Sequence, residues 1–239
     1  IFGNVMQTSQ DAIYLARHVG LKAGCRIETP ALTVNRLCGS GFEAIVQGAR
    51  LLMMGEAEIA LVGGTESMSQ APHVIRGARW GLRLNAGKLE DYLWESLLDA
   101  HCGLTMAQTA ENLADKFGIS RTACDEYAML SQKRAAAAWE SGKFAEEVVP
   151  VEIHGRKGPT PFLRDEHPRP DTSMDALAKL RPAFRKEGTV TAGNSSGIND
   201  GASATVVVEA DYARRHGLQP MARVVSTAVA GVDPAVMGL

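Results

Sequence analysis

The residues best suited to chemistry stand together in Asn35-Arg36-Leu37-Cys38-Gly39-Ser40-Gly41-Phe42. A cysteine thiolate attacks carbonyl carbon readily, and the glycines at 39 and 41 clear the space around this one. Upstream, Ala31-Leu32-Thr33-Val34 is a short apolar, β-branched run of the kind that forms a buried strand. Downstream, Ala44, Ile45, Ala49, Leu51 and Leu52 recur at helical spacing. Cys38 is therefore expected at a strand-to-helix turn. A thiol there faces the unpaired N–H groups and positive end of the helix, which favour thiolate and can hold an oxyanion. That is the layout of a nucleophile elbow with Cys in place of Ser. The competing reading is a buried, inert thiol acting as a small apolar side chain, which is what most free cysteines are.

A second dense motif is Gly193-Asn194-Ser195-Ser196-Gly197-Ile198-Asn199-Asp200-Gly201. Such a run brings backbone N–H groups close to polar atoms of a ligand, or it is a plain glycine-rich turn before a strand. Arg169, between Pro168 and Pro170, is either a stiffly held phosphate anchor or a surface charge. None of the six histidines falls in a loop that would aim it at Cys38 as a base. His18 lies in an amphipathic helix, His216 at a helix end, and His167 in a charged loop.

The surrounding chain can carry such a site. Its 239 residues suffice for one large domain or two modest ones, with 45% apolar and 22% charged residues as in ordinary globular proteins. A net charge of −2 gives no sign of nucleic acid or an anionic membrane as partner. No apolar run approaches the ~20 residues that span a bilayer, and no secretory segment is present. Four irregularly spaced cysteines without a CxxC pair argue against a metal site and against a disulfide framework. The sequence opens at Ile1 in mid-pattern and stops at Leu239 without a natural end, so it is expected to be a piece of a longer chain.

In order, the pattern predicts a strand remnant at Ile1–Val5, a helix over 11–22, the Cys38 strand and helix, and a strand over 57–62 running into a Gly63–Glu66 turn. Strand, helix, strand implies a βαβ unit with ligands bound beyond the carboxyl ends of its strands. Residues 71–89 read as an irregular excursion. Helices follow over 106–117 and from Ser120 to about 141, the latter with Ala123, Tyr127, Leu130, Ala137 and Ala138 on its apolar side. An edge strand over 148–153, a short helix over 174–179, a strand over 204–208, a helix over 211–216 and a final strand over 222–229 complete the pattern.

Five ordered motifs carry a family resemblance. They are Asn35-Arg36-Leu37-Cys38-Gly39-Ser40-Gly41, Gly63-Gly64-Thr65-Glu66-Ser67-Met68-Ser69, Thr109-Ala110-Glu111-Asn112, Gly188 to Gly197, and Gly231-Val232-Asp233-Pro234. Together they resemble the thiolases, in particular the 3-ketoacyl-CoA thiolase and acetyl-CoA acetyltransferase group. The resemblance implies an α/β fold of layered αβαβα type, built from two similar halves with a loop domain inserted in the first. The core is then expected at residues 1–70 and 197–217, the inserted loop domain at 71–196, and the first strand of a largely absent second half at 221–239.

The resemblance also implies the chemistry. Cys38 would take the acyl group from a 3-ketoacyl-CoA, acetyl-CoA would leave, and a second coenzyme A would accept the acyl group; the reverse is a Claisen condensation. Arg169, Thr172 and Ser196 would bind coenzyme A, with Leu97 and Met106 lining its pantetheine arm. Thr105 stands where some related enzymes have a histidine. Coenzyme A is then a co-substrate, with no tightly bound cofactor and no metal. A homo-oligomer, dimer or dimer of dimers, is implied, with the 72–90 excursion as the tetramer-building loop. The expected location is the bacterial cytoplasm or an organelle matrix. The family's Gly-His-Pro histidine, Asn-Glu-Ala-Phe-Ala asparagine and Cys-x-Gly-Gly-Gly cysteine do not occur in these 239 residues, so this chain alone is expected to be inactive. Two alternatives remain open: a ketoacyl-synthase-type condensing enzyme, and a non-catalytic piece that only binds coenzyme A.

Overall fold

Alternating strand and helix patterns fold into two units, residues 1–97 with 198–231 and residues 98–197 with 232–239. The computed structural model describes residues 1–239. Its first elements are β1 (Phe2–Gly3), α1 (Leu15–Lys22), β2 (Thr33–Val34), α2 (Ser40–Met53), β3 (Ile59–Glu66), β4 (His73–Ile75), β5 (Leu89–Asp91) and α3 (Tyr92–Ser96). There follow β6 (Leu98–Asp99), β7 (Leu104–Thr105), α4 (Met106–Phe117), α5 (Arg121–Glu140), β8 (Val151–Gly155), β9 (Gly158–Phe162) and α6 (Met174–Ala178). The last two are β10 (Gly201–Val208) and α7 (Ala210–Arg215).

The first unit is built on a four-stranded sheet in the order β10-β3-β1-β2. β1 runs parallel to both β2 and β3, whereas β10 is antiparallel to β3 from Gly201↔Glu66 to Val208↔Ile59. α2 makes the crossover and buries Ala44, Ala49 and Leu52, while Val62 at the centre of β3 is fully enclosed. Gly48 is what lets the helix lie this close, since a Cβ there would stand 2.8 Å from Val62 Cγ1.

β3 does not end in a turn at Gly63. It continues through Gly63-Gly64-Thr65-Glu66, because β10 supplies a ladder partner for every one of those residues. The glycines mark close approach, not a chain break: a Cβ on Gly63 would lie 2.2 Å from the Ser203 carbonyl oxygen. The 71–89 excursion also contains order, as β4 pairs with β5 across it. Residues 71–97, placed in the insertion by sequence, group with the first unit.

In the second unit, α4 opens on a capping box between Thr105 and Gln108 and stops at Gly118, whose φ of 64° is left-handed. Ser120 caps α5, accepting the Ala123 N–H at 3.1 Å. The inward face of α5 is not the one carrying Ala123, Tyr127, Leu130 and Ala137, all of which are exposed. Tyr127 is 71% exposed, while Asp125 is buried and the half-buried positions include Arg121 and Gln132. The side turned inward is a mixed stripe in which Cys124, Ala128, Met129, Ala135 and Trp139 are half-buried beside the polar anchors Arg121, Asp125 and Gln132.

Two further elements differ from expectation. β8 forms a hairpin with β9, a strand the sequence hides because Pro159 and Pro161 interrupt it. In a two-stranded ladder a proline can face the open edge. The run 222–229 forms no strand, because no ladder partner lies beside it, and Val225 is 77% exposed. Only a short turn of 3₁₀ helix at Pro234–Val236 follows.

Candidate functional site

Cys38 sits immediately before Gly39, the N-cap of α2, and its side chain is exposed. The elbow depends on Leu37, whose φ of 46° is left-handed, a conformation costing a non-glycine residue about 1–3 kcal/mol. Its neighbours impose that conformation. Asn35 Oδ1 accepts the Leu37 N–H at 2.9 Å. The Ser40 hydroxyl donates to the Leu37 carbonyl at 2.6 Å and accepts the Arg36 N–H at 2.8 Å. Arg36 Nε in turn meets the Glu43 carboxylate at 2.8 Å. A hydrogen bond from Gln47, with Arg36 assisting, holds that carboxyl below its usual range. Most of the motif thus serves to aim one thiol.

The first turn of α2 rests on the sheet through glycines. A Cβ on Gly3 would lie 2.6 Å from the Ser40 carbonyl, and one on Gly64 would lie 3.5 Å from Gly41 Cα. Gly39 and Ser40 spend their N–H groups on Arg36 and Leu37 carbonyls at 3.0 and 2.9 Å. The N–H groups of Gly41 and Phe42 take no backbone acceptor, as the first helical turn dictates. A recess of about 290 Å³ opens beside the thiol, lined by Cys38, Phe42, Ile45, Gly63 and Ser203 to Thr205. A thiolate here with free donors beside it can attack a carbonyl and hold the resulting charge. The side chain that donates a thiol hydrogen bond is Cys102, and no histidine bonds to Cys38.

Two carboxylates tie the carboxyl ends of the strands together. Glu66 accepts the Val5 and Met6 N–H groups, each at 3.0 Å. Asp200 accepts the Ser69 hydroxyl at 2.5 Å, the Ser69 N–H at 2.9 Å and the Ser67 hydroxyl at 3.1 Å. The Ser69 hydrogen bonds hold the Asp200 carboxyl below its ordinary value. The Gly63–Ser69 motif is in this way a bracket joining β1, β3 and the approach to β10.

The three remaining candidates lie in the second unit. Arg169 is exposed, with its N–H bonded to Gln132 Oε1 at 2.8 Å. Thr172 is half-buried and donates its N–H to the Arg169 carbonyl at 3.1 Å, closing a turn. Ser196 is exposed on the Gly193–Gly197 loop. The two loops meet, since a Cβ on Gly197 would lie 2.3 Å from the His167 ring. Met106 is half-buried at the start of α4, and the Thr105 side chain before it is occupied in capping. Leu97 is half-buried in the first unit.

Two acidic side chains hold this second loop, Glu111 from the Thr109–Asn112 motif and Asp125 from α5. Glu111 on α4, 2% exposed, accepts the Thr189 N–H at 2.9 Å, its hydroxyl at 3.0 Å and the Val190 N–H at 2.9 Å. Burial pushes the Glu111 carboxyl up, but those hydrogen bonds and Arg185 outweigh it and leave it lowered. Asp125 on α5 accepts from Asn194 Nδ2 at 2.9 Å and from Arg121 Nε at 2.8 Å. Their signal was available: both are acidic residues at positions where a helix ordinarily buries apolar ones.

The sequence profile of a family described as "Thiolase, N-terminal domain" matches residues 1–211. The chain belongs to the thiolase family. Human mitochondrial 3-ketoacyl-CoA thiolase is 54% identical over 240 residues, covering 100% of this chain and 60% of that protein. Acetyl-CoA acetyltransferase of Pseudomonas aeruginosa is 48% identical over 230 residues, covering 94% of this chain and 58% of its own length. The crystal structure of human mitochondrial 3-ketoacyl-CoA thiolase in complex with CoA aligns at TM-score 0.94 and 53% identity, over 99% of this chain and 59% of that one. The α/β fold is therefore that of the thiolases. The chain spans about 60% of the length of the curated relatives it matches. No helix of this thiolase chain is long and apolar enough to cross a membrane.

Proposed function

We propose that the protein is a coenzyme-A-dependent acyltransferase that cleaves a 3-ketoacyl-CoA to acetyl-CoA and a shortened acyl-CoA, or runs the reverse condensation. The observation that carries this reading is the Cys38 elbow: an exposed thiol beside the unpaired N–H groups of Gly41 and Phe42, above a recess. In the forward direction the Cys38 thiolate attacks the ketone carbon, and the oxyanion that forms is held by backbone donors. Collapse of the oxyanion breaks the adjacent carbon–carbon bond. The electron pair leaves with acetyl-CoA as an enolate, which takes up a proton. The acyl group stays on sulfur until a coenzyme A thiolate attacks the thioester and releases Cys38.

Arg169, Thr172 and Ser196 are the residues we assign to coenzyme A, Arg169 toward the nucleotide end and Ser196 toward the pantetheine arm. The region 71–196 is assigned as the inserted segment that carries this site and the oligomer contacts of a dimer or dimer of dimers. A degradative role in fatty acyl shortening fits the relatives' names, in a mitochondrial matrix or bacterial cytoplasm. The base and acid for the two proton transfers are not supplied beside Cys38 by these residues. At its full encoded length, the protein is expected to consume acetoacetyl-CoA with coenzyme A and to carry an acetyl group on the Cys38 peptide after exposure to acetyl-CoA, as read by mass spectrometry. Acetylation that survives Cys38→Ala would overturn the proposal.

A further inference from the structure

α5 carries two groups that each grip a different loop of the proposed coenzyme A site. Asp125, 3% exposed, accepts from Asn194 Nδ2 at 2.9 Å. Further along, Gln132 Oε1 accepts the Arg169 N–H at 2.8 Å. Their spacing of two helical turns corresponds to a rise of about 10 Å and returns both side chains to one face.

Each grip is stiff. Asn194 Oδ1 also accepts the Thr191 N–H at 2.8 Å, its Nδ2 donates to the Thr189 carbonyl at 2.9 Å, and the Ser195 hydroxyl donates to the Thr191 carbonyl at 2.6 Å. Ser196 therefore follows a segment fixed by side chains and not by a helix or ladder. Arg121 pins Asp125 from the start of α5 and reaches the Leu177 carbonyl at 2.6 Å. On the other loop, Pro168 and Pro170 restrict the backbone around Arg169, so one held N–H places the whole turn.

We propose that Asp125 and Gln132 are positioning residues: together with the direct packing of Gly197 on His167, their anchorage to α5 fixes the Arg169 and Ser196 loops relative to each other so that both can engage one coenzyme A molecule. The inference rests on the reading of Arg169 and Ser196 as coenzyme A contacts. Two modest contacts on one ligand reinforce each other only when their separation is fixed at the right value, because the second contact then forms at high effective concentration. A loop freed from α5 keeps its own contact but loses that reinforcement.

The test is a double-mutant cycle on coenzyme A affinity, read by ligand-detected NMR, which reaches millimolar dissociation constants. The four proteins are the unaltered chain, Gln132→Met, Arg169→Ala and the double variant, each checked by thermal melting. Gln132→Met keeps length and helix preference but removes the carbonyl acceptor. It is expected to weaken coenzyme A about tenfold and to add nothing once Arg169 is alanine, because it acts through that residue. Pantetheine alone, which lacks the nucleotide end, should bind Gln132→Met and the unaltered chain equally. Gln132→Leu replaces the methionine variant should that one not fold. Unchanged coenzyme A affinity in Gln132→Met, additive losses in the double variant, or equal weakening of pantetheine would each overturn the positioning role alone. No coenzyme A binding by the unaltered chain would overturn the functional reading and the positioning role with it.

Discussion

The buried carboxylate of Glu111 receives both the backbone N–H and the hydroxyl of Thr189, at 2.9 and 3.0 Å, across 78 residues of sequence. Two motifs that look independent in the chain, Thr109–Asn112 and Gly188–Gly197, are one bonded assembly. Gly188 must be glycine for the same reason, since a Cβ there would lie 2.1 Å from Glu111 Oε1.

Glu111→Ala leaves the Thr189 and Val190 donors unpaired in a closed site, and is expected to cost about 3 kcal/mol in urea unfolding. Its pH signature is specific. The folded-state carboxyl lies below the ordinary value of 4.5, so its contribution is complete above that value and is lost as pH falls through the folded one. Melting temperature should drop on the acid side in the unaltered protein and drop less in Glu111→Gln. Parallel pH curves for the two proteins would refute the assignment.

Gly63→Ala puts a methyl group where the Ser203 carbonyl stands. Backbone cannot step aside as a flexible side chain can, so β10 must separate from β3. A loss of about 3 kcal/mol or more is expected by denaturant titration, against under 1 kcal/mol for Gly41→Ala, whose Cβ meets nothing within 4 Å. Equal losses at the two sites would show that the close approach of β3 and β10 is not what Gly63 protects.

Alkylation by iodoacetamide should mark Cys38 first. It is exposed, whereas Cys25, Cys102 and Cys124 are half-buried. Peptide mapping over a time course gives the four rates, and equal rates would remove the case for a presented nucleophile.

A chain of these 239 residues should show no acetoacetyl-CoA thiolysis, because no histidine bonds to Cys38 and the family's Gly-His-Pro and Cys-x-Gly-Gly-Gly motifs do not occur in it. Measurable turnover by that chain, lost on Cys38→Ala, would show that a base is recruited from within these residues.

The elbow was legible because its cues are local: a β-branched run, a glycine-flanked thiol and an apolar repeat, which became β2, Cys38 and α2. β2, however, is confined to Thr33–Val34 at the sheet edge and is half-buried, not buried as its run suggests, with Leu32 51% exposed. α4 was legible to its last residue, since Gly118 permits the left-handed stop. What escaped notice was set by distant partners. β3 runs through Gly63 and Gly64 because β10 returns to pair with it, and β9 tolerates two prolines because its other edge is open. α5 carries apolar residues on more than one side, and the side holding Asp125 and Gln132, to which the loops bond, turns inward in place of the one holding Tyr127 and Leu130. Ser40 and Asn35 were read as part of a motif, but their work in holding Leu37 depends on a φ that sequence does not display.

The antiparallel closure of the main sheet also constrains how the chain is made. Glu66 at the end of β3 waits for Gly201, its ladder partner about 135 residues later. At about 5–20 residues per second, synthesis leaves that edge of β3 bare for about 7 to 27 s, long after β1 has paired on its other side. An unpaired apolar edge of this length is a template for wrong partners. On a ribosome, the time this edge stands bare is therefore set by translation speed, and slow codons between β3 and β10 would lengthen it.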